Sequence, residues 1–171
     1  MDTYKKKSKI QVFTTNGIGL PAAANLALKH AKGKYLIRLD ADDDFDDNIL
    51  LVLGQYLDTN PKVALVFPDY YLIDDQGGLI RHEMRTPILN NKHLLDVPAN
   101  GACTLIRTSV LKKIGGYRED LRAQDGFDIW TKIIKKYPCG NVNLPLFHYR
   151  RHGANLTSNT GKIIRARHTI K

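Results

Sequence analysis

Cysteines are few in this chain, and long apolar runs are missing altogether. Cys103 and Cys139 are the only cysteines, and they lack the short spacing that a metal site would need. No stretch approaches the roughly 18 apolar residues of a membrane span, and no signal-peptide core follows Met1. We therefore expect reduced thiols in a cytoplasmic protein rather than a disulfide-stabilised secreted one.

Internal repeats and low-complexity linkers are also missing, which favours one domain. The 171 residues suit a domain that buries roughly 70% of its unfolded surface. Hydrophobic residues make up 43% and charged residues 25%, as in ordinary globular proteins. We predict a single domain over residues 1–171, with a basic tail from about residue 155.

Acidic residues are scarce at both ends of the chain, and the formal net charge is +9. Basic ends can contact an anionic membrane surface or a phosphorylated substrate, or they can simply be solvated, and these interpretations stay open. No basic stripe is interleaved with aromatics, so nucleic acid is not an expected partner. The basic residues are Lys5, Lys6, Lys7 and Lys9 at the start and Lys162, Arg165, Arg167, His168 and Lys171 at the end.

The first half of the chain alternates strand and helix patterns. Pro21 suits a first helical turn, and Gly33 suits a helix end. Such alternation predicts an α/β fold with a mostly parallel sheet and helical crossovers. The predicted strands are residues 9–14, 35–39 and 63–67, and the predicted helices are residues 21–31 and 48–57.

The second half differs in character. Phe127 and Trp130 lie on one side of a predicted helix, so we expect core residues rather than a ligand-binding platform. Cys103 is expected to be a buried, inert thiol. The predicted elements are a hairpin at residues 70–82 with its turn at 74–78, a polar stretch at 85–98, an apolar segment at 102–106, helices at 109–114 and 124–137, and a last strand that reaches Tyr149.

An acidic loop directly follows the predicted strand 35–39. Its sequence, RLDADDDFDD, places several carboxylates at the end of a strand, where a parallel sheet presents its ligand crevice. Asp40 and Asp42 are one residue apart, so both can face the same side of an extended segment. Mg²⁺ or Mn²⁺ suits oxygen ligands, and Mg²⁺ is commonly held by one or two carboxylates plus substrate phosphates. The loop therefore predicts a metal–diphosphate site.

Other interpretations of the acidic loop fit less well. A calcium loop needs Gly at its sixth position and Glu at its twelfth, where Phe45 and Leu51 stand. A phosphatase of the haloacid-dehalogenase type has a small hydroxyl residue two positions after its Asp-x-Asp, where Asp44 stands. A helix-capping cluster explains Asp46 and Asp47 but leaves the earlier carboxylates unexplained.

Several short motifs follow one another in an order that resembles glycosyltransferase family 2. Each is weak alone, but their joint order and spacing over about residues 10–158 make the likeness specific. The resemblance implies a GT-A fold. The motifs are Asn16-Gly17-Ile18-Gly19, Pro21-Ala22-Ala23-Ala24-Asn25, Gly33-Lys34-Tyr35, Leu39-Asp40-Ala41-Asp42-Asp43, Asn100-Gly101-Ala102, Gly115-Gly116-Tyr117, Gln124-Asp125 with Asp128 and Trp130, and Tyr149-Arg150 with His152.

The resemblance implies a reaction and a metal. A sugar would pass from a nucleotide-diphosphate donor to a hydroxyl of a saccharide or lipid-linked acceptor, with inversion at the anomeric carbon. Asp40 would approach the donor ribose or the metal, and Asp42 would bind the Mg²⁺ or Mn²⁺ that bridges the diphosphate. Which of Asp40, Asp42 and Asp43 binds the metal directly stays open.

The same resemblance assigns a base to the start of the predicted helix 124–137. Asp125 would take the proton of the acceptor hydroxyl, although a helix-capping role remains the alternative. Gln124 stands where the family often has Glu, a change that leaves the base in place. Arg150 and His152 would contact phosphate or metal, the alternative being an exposed basic loop.

The family's opening strand, helix and strand have no counterpart before residue 9. In similar proteins that unit ends in an Asp that holds the nucleotide base, and residues 1–8 offer no substitute. We therefore expect an N-terminally truncated GT-A-like domain that binds free nucleotide weakly. An unpaired sheet edge near residues 9–14 predicts self-association. The alternative function is that of a non-catalytic or split-gene partner module.

Overall fold

The structure, a computed structural model, describes residues 8–85, 101–121, 123–153 and 160–170. Its strands in these ranges are β1 (Tyr35–Leu36), β2 (Asp44–Phe45), β3 (Leu65–Ile73), β4 (Leu79–Glu83), β5 (Leu105–Arg107) and β6 (Cys139–Arg150). Its helices there are α1 (Leu20–His30), α2 (Ile49–Thr59), α3 (Thr108–Lys113), α4 (Asp125–Ile134) and α5 (Thr160–Ile170). Each of these helices is too short or too polar to span a bilayer.

The sheet is mixed, with β3 at its centre. Its strand order is β1-β5-β3-β6-β2, and β4 pairs with β3 off this path. β3 and β6 run parallel, from the pair Leu65 and Cys139 to the pair Ile73 and Arg150. Among the described residues the other pairings, β1 with β5, β2 with β6, and β3 with β4 and β5, are antiparallel. The α/β class is confirmed.

The expectation of a mostly parallel sheet needs correction in the described residues. The sequence pattern treats the strands at 35–39 and 63–67 as direct neighbours joined by a crossover helix. In the structure β5 lies between β1 and β3 and runs antiparallel to both, so β1 and β3 still point the same way. β5 comes from much later in the chain, and periodicity along a sequence does not reveal such a long-range pairing.

Residues 9–14 do not form the predicted strand. They carry no sheet pairing, and the apolar side chains of Ile10, Val12 and Phe13 are 37%, 36% and 44% exposed. Phe13 instead packs on His30 at the end of α1, with ring centroids 4.5 Å apart. The physical reason is the lack of a partner strand, because β1 pairs with β5 alone among the described residues.

Two other strands differ in length from the predicted ones. β1 stops at Leu36, so the residues that lead into the acidic loop leave the ladder. β3 is longer than expected and joins the predicted strand 63–67 to the hairpin at 70–82. A proline normally ends such a run, but Pro68 lies where the register with β6 shifts. The β3–β4 hairpin itself is confirmed.

The helices agree with the sequence except near their ends. Asp46 Oδ1 accepts a hydrogen bond from the Asn48 amide, 2.8 Å away, so Asp46 shapes the approach to α2 while Asn48 occupies the N-cap. α3 ends at the predicted pair Gly115-Gly116, whose φ angles of 87° and 67° favour glycine. The basic tail expected from about residue 155 forms α5 in its described part.

Alternate residues of β3 contribute to two hydrophobic cores on opposite faces of the sheet. Leu65 and Phe67 pack with α1, α3 and α4, whereas Val66 packs with α2 and β5. Trp130 is 1% exposed in the first core, which confirms it as a core residue. Cys103 is fully buried in the second, and burial raises the pKa of its thiol far above the usual range, as expected for an inert cysteine.

Candidate active site

A cleft of about 990 Å³ opens between the acidic loop and the first turn of α4. This volume lies at the upper end of the range for small-molecule and cofactor sites. The start of α1 and the end of β6 form further walls, so elements far apart in sequence meet here. The charged residues that line the cleft are Arg38, Asp40, Asp42, Asp43, Arg85, Glu119, Asp125, His152 and Arg167.

Arg38 connects the two sides of the cleft. Its Nη1 lies 2.5 Å from Oδ2 of Asp125, and its Nε lies 2.9 Å from Oδ1 of Asp40. Burial alone would lower the pKa of Arg38, but the two carboxylates hold that pKa above its ordinary value. Sequence reasoning missed Arg38, although a cation directly before an acidic loop was a usable signal.

Two glycines pack face to face beside this arginine. A Cβ atom on Gly126 would lie 3.1 Å from Cα of Gly101, and one on Gly101 would lie 3.2 Å from Nη2 of Arg38. Any larger residue would push the first turn of α4 away from the segment that precedes β5. The predicted motif at residues 100–102 therefore has a structural reason at Gly101, while Asn100 lies outside the described residues.

Asp42 and His152 meet although they come from different elements. His152 Nε2 lies 2.8 Å from Asp42 Oδ2, and this hydrogen bond holds the pKa of the Asp42 carboxyl below its usual value. The structure thus brings together a predicted metal ligand and a residue predicted to contact phosphate or metal. Asp40, the other predicted metal ligand, pairs with Arg38 instead.

A metal ion fits this arrangement if the substrate supplies part of its coordination. Within the described residues, no group of three or more His, Cys, Asp or Glu side chains is placed to hold an ion. Asp42 and His152 together offer a carboxylate and an imidazole, a mixed donor set that Mn²⁺ accepts more readily than Mg²⁺. Phosphate oxygens and water would complete the shell, as is common for Mg²⁺-type sites.

Asp43 anchors the acidic loop to the end of β6. It is 6% exposed, and its Oδ1 accepts a hydrogen bond from the Arg150 amide at 2.8 Å. Burial raises the pKa of the Asp43 carboxyl to about 6. Its Oδ2 has no hydrogen-bond partner among the described residues. Of the three carboxylates considered for the metal, Asp43 is the one that is mostly buried.

The guanidinium of Arg150 is directed at protein acceptors and does not line the cleft. Its Nε donates to the Asp42 carbonyl at 2.9 Å, its Nη1 to the Asp74 carbonyl at 3.1 Å, and its Nη2 to Asp44 Oδ2 at 3.0 Å. Arg150 therefore ties the acidic loop to the turn of the β3–β4 hairpin. A contact between Arg150 and phosphate stays a prediction.

The first turn of α4 presents Asp125 to the cleft. Gln124, the N-cap residue, adopts a left-handed conformation with φ of 63°, which is uncommon for a residue other than glycine. Its Oε1 accepts a hydrogen bond from Arg167 Nε at 2.9 Å, and the Arg167 guanidinium lies 4.7 Å from the ring of Phe127. Asp125 lies inside the helix rather than at its cap, so its carboxylate is available for a role in the cleft.

Asp128 is a weaker candidate base than Asp125. It is 2% exposed, and its Oδ2 lies 2.6 Å from Nζ of Lys132 one helical turn later. Asp128 is not among the residues that line the cleft, whereas Asp125 is. Both carboxylates of this helix are in ion pairs, Asp128 with Lys132 and Asp125 with Arg38, but only Asp125 lines the cleft.

An aromatic and cationic wall was also missed by sequence reasoning. The Arg85 guanidinium lies 5.2 Å from the ring of Tyr70, and Tyr70 lies edge-on to Tyr149, with ring centroids 6.2 Å apart. The buried carboxylate of Asp69 accepts the Arg85 amide at 2.7 Å, and Asn143 donates to the Arg85 carbonyl at 2.7 Å. These side chains are distant in sequence, so no local pattern reveals them.

Residues 4–165 match the family model described as Glycosyltransferase like family 2. The chain belongs to this family. The match covers nearly all of the chain, so the resemblance drawn from the order of the motifs is confirmed.

Relatives of this chain include further glycosyltransferases. The uncharacterised glycosyltransferase MJ1057 of Methanocaldococcus jannaschii is 28% identical over 142 residues, which are 77% of this chain and 47% of that protein. The Escherichia coli UDP-Glc:alpha-D-GlcNAc-diphosphoundecaprenol beta-1,3-glucosyltransferase WfaP is 28% identical over 158 residues, 90% of this chain and 60% of that protein. The chain thus spans about half the length of these relatives.

Solved structures share the fold at low sequence identity. S. aureus TarS 1-349 in complex with UDP-GlcNAc aligns with a TM-score of 0.72 at 16% identity, covering 93% of this chain and 47% of that chain. The mannosyltransferase PcManGT from Pyrobaculum calidifontis, in complex with GDP-Man and Mn²⁺, aligns with a TM-score of 0.56 at 15% identity, covering 86% and 41% respectively. This likeness confirms the expected GT-A-type fold.

Proposed function

We propose that the chain transfers a sugar from a nucleotide-diphosphate donor to an acceptor hydroxyl, with inversion at the anomeric carbon. The cleft carries this proposal, because Asp42 and His152 on one side and Asp125 on another line the same cavity. Membership of a glycosyltransferase family supports sugar transfer as the class of reaction.

Asp42 and His152 form the donor side of the proposed site. A nucleoside diphosphate gains negative charge as it leaves the sugar, and a divalent ion beside it would neutralise that charge as a Lewis acid. Asp42 and His152 would hold Mn²⁺ or Mg²⁺, with Asp40 near the donor ribose or the same ion. The PcManGT complex holds Mn²⁺ together with its nucleotide sugar, which supports a divalent ion in this role but not the choice of ligands. Arg150 steadies the site by its hydrogen bond to the Asp42 carbonyl.

Asp125 forms the acceptor side. Its carboxylate would take the proton of the acceptor hydroxyl while that oxygen bonds to the anomeric carbon. The bond from that carbon to the diphosphate oxygen breaks on the opposite face, and the diphosphate leaves with the electron pair. Attack and departure on opposite faces invert the configuration. The placement of Asp125 on the first turn of α4, at the cleft, supports this role.

The acceptor in this proposal is a saccharide, free or linked to a lipid diphosphate, as in polysaccharide synthesis. The name of WfaP specifies a GlcNAc-diphosphoundecaprenol acceptor, which supports the lipid-linked form. α5 exposes Arg165, His168 and 60% of Ile164, a mixture that suits an anionic membrane surface. We therefore place the protein in the cytoplasm with peripheral membrane contact through its basic end.

Self-association and weak binding of free nucleotide belong to the same proposal. The exposed apolar side chains of Ile10, Val12 and Phe13 support association, because such patches commonly mark contact surfaces. The residues assigned above address the diphosphate and the acceptor, and none is assigned to the nucleotide base. Light scattering at micromolar concentration measures association, and a clean monomer with tight, base-selective binding would contradict this part.

A thermal-shift screen of nucleotide sugars with and without Mn²⁺, followed by a transfer assay, tests the proposed function. We expect metal-dependent stabilisation by one donor class and transfer of its sugar. Asp42→Ala should weaken both, whereas Asp120→Ala, which removes an exposed partner of Arg118, is the matched control. Metal-dependent binding without any turnover would favour the alternative, a non-catalytic or split-gene partner module.

A further inference from the structure

Arg38 touches carboxylates that belong to both sides of the cleft. We propose that Arg38 is a positioning residue for sugar transfer, which holds the Asp125 carboxylate toward the acceptor and fixes its place relative to the donor loop through Asp40. The inference rests on the proposed function and adds a residue to it.

Arg38 orients the Asp125 side chain through one of its two carboxylate oxygens. Arg38 Nη1 lies 2.5 Å from Oδ2 of Asp125, which restrains the position of this oxygen on the first turn of α4. Oδ1 is then the oxygen that we assign to the acceptor proton. A base must lie within hydrogen-bond reach of the proton it removes, so a carboxylate free to rotate would be a weaker catalyst.

The second contact of Arg38 relates that base to the donor side. Nη2 donates to Oδ2 of Asp40 at 3.3 Å, and Nε lies 2.9 Å from Oδ1 of Asp40 as an ion pair without hydrogen-bond geometry. Asp40 precedes Asp42 by two residues in the acidic loop. Donor and acceptor must meet at a near-attack distance, and an error of about 1 Å in placement can cost about a hundredfold in rate. Because one guanidinium contacts both carboxylates, it restrains how far the base lies from the donor loop.

Burial strengthens the contacts of Arg38 and makes their loss costly. The side chains of Arg38 and Asp125 are only 16% and 11% exposed. Charges interact more strongly when water is excluded, and removal of one partner leaves the other charge buried without compensation. Arg38→Gln would leave Asp40 and Asp125 facing the same space as like charges.

The surrounding backbone fits this one side chain. Gly101 and Gly126 are in contact beside the guanidinium, and a Cβ atom on Gly101 would lie 3.2 Å from Nη2 of Arg38. The planar fork of arginine can engage two carboxylates at once, whereas the ammonium of lysine is a point charge on a flexible stem. Arg38→Lys therefore keeps the charge but loses the simultaneous contacts.

Steady-state kinetics of Arg38→Gln and Arg38→Lys test the proposal. We expect kcat to fall about tenfold to a hundredfold in Arg38→Gln, with partial recovery in Arg38→Lys, while the donor KM changes less than about threefold. Arg107→Lys is the matched control, since Arg107 donates to the carbonyls of Val63 and Leu57 and does not line the cleft. An equal loss of kcat in the control would overturn the inference.

A double-mutant cycle decides whether Arg38 acts through Asp125. If it does, Arg38→Gln lowers kcat by less than about threefold once Asp125→Asn is present, because the oriented base is already gone. The same tenfold or larger loss in both backgrounds would show that Arg38 acts independently of Asp125 and would overturn the inference.

Unfolding in urea separates this inference from the proposed function. Coupling between Arg38→Gln and Asp125→Asn should change the folding equilibrium constant by about tenfold, whereas the exposed pair of Arg118 and Asp120 should show much less. If wild-type protein transfers no sugar from any donor, the proposed function fails, and this coupling still decides the contact. Coupling below about twofold would overturn the role of Arg38.

Discussion

The two sides of the cleft hold their carboxylates in different ways. The acidic loop is fastened to the end of β6, because Asp43 accepts the Arg150 amide and Asp42 meets His152. The first turn of α4 instead has Asp125 in an ion pair with Arg38.

The difference lies in the balance of charge. The acidic loop holds four carboxylates, at position 40 and at positions 42–44, and the guanidinium groups of Arg38 and Arg150 offset only part of that charge. Excess negative charge of this kind is stabilised by a cation that binds from solution. Asp125 at α4 is held at 2.5 Å by Arg38, whose single charge it shares with Asp40. In the proposed function, the first side would bind an ion and the second would supply the base.

Among the variants that test this comparison, Asp125→Asn should have the largest effect, a loss of activity. The amide cannot take the acceptor proton, so kcat should fall by at least about a hundredfold while donor binding survives. Steady-state kinetics together with calorimetry of the donor measure the two quantities. Asp120→Asn on the surface is the control, and a kcat near that of wild type in Asp125→Asn would move the base elsewhere.

Asp42→Ala should act on the opposite side of the cleft. Loss of its carboxylate removes the partner of His152 and a metal ligand, so Mn²⁺-assisted binding of a nucleoside diphosphate should weaken by about tenfold to a hundredfold. Calorimetry with and without Mn²⁺ measures this change. Asp120→Ala on the surface is the control. Asp74→Ala would not serve, because it would alter the hairpin turn. Unchanged binding would remove Asp42 from the metal site.

Asp43→Asn tests the acidic loop through the pH dependence of the free energy of unfolding. Burial raises the Asp43 pKa from 3.8 to about 6, so the folded state binds this proton more tightly than the unfolded chain. The free energy of unfolding therefore falls as the pH rises through that window. Asn keeps an oxygen for the Arg150 amide but cannot ionise, so its stability relative to wild type should increase by about 2–3 kcal/mol between about pH 4 and about pH 8. Urea denaturation of both proteins across this pH range, with a chelator present, measures the difference. An equal change of the free energy of unfolding with pH in wild type and in Asp43→Asn would contradict the prediction.

Arg167→Ala has the smallest expected effect. It removes the hydrogen bond to Gln124 and the contact with the Phe127 ring, which together should cost about 1 kcal/mol of unfolding free energy. Because Gln124 directly precedes Asp125, kcat should fall a few-fold while donor binding stays the same. Arg165→Ala on the exposed side of α5 is the control, and identical effects in both variants would exclude a role at Gln124.

Local sequence signals predicted the helices, and the family resemblance pointed to the residues at the cleft. Pro21 and Gly33 bracket α1 as expected from backbone preferences, which a single chain displays openly. The resemblance to glycosyltransferase family 2 assigned Asp42, His152 and Asp125 to one site, and all three line the cleft.

Contacts between distant residues could not be predicted in the same way. Arg38 and Asp125 are 87 positions apart, and the insertion of β5 between β1 and β3 is set by packing rather than by periodicity. Arg150 illustrates the limit for cations, because its fork is directed at main-chain carbonyls and Asp44. The sequence alone does not show which acceptors a cationic side chain will contact.

The link between the acidic loop and the β3–β4 turn has a practical consequence. Through Arg150, one guanidinium joins the Asp42 carbonyl to the Asp74 carbonyl at the tip of the hairpin. Any tightening of the loop around a ligand will alter the surroundings of that tip. Gln76 is exposed there, Cys103 is buried, and burial raises the pKa of the partly buried Cys139 to about 12, so Gln76→Cys would be the most reactive thiol. With the proposed function, a fluorophore at this position would report nucleotide occupancy optically, without separating bound from free ligand.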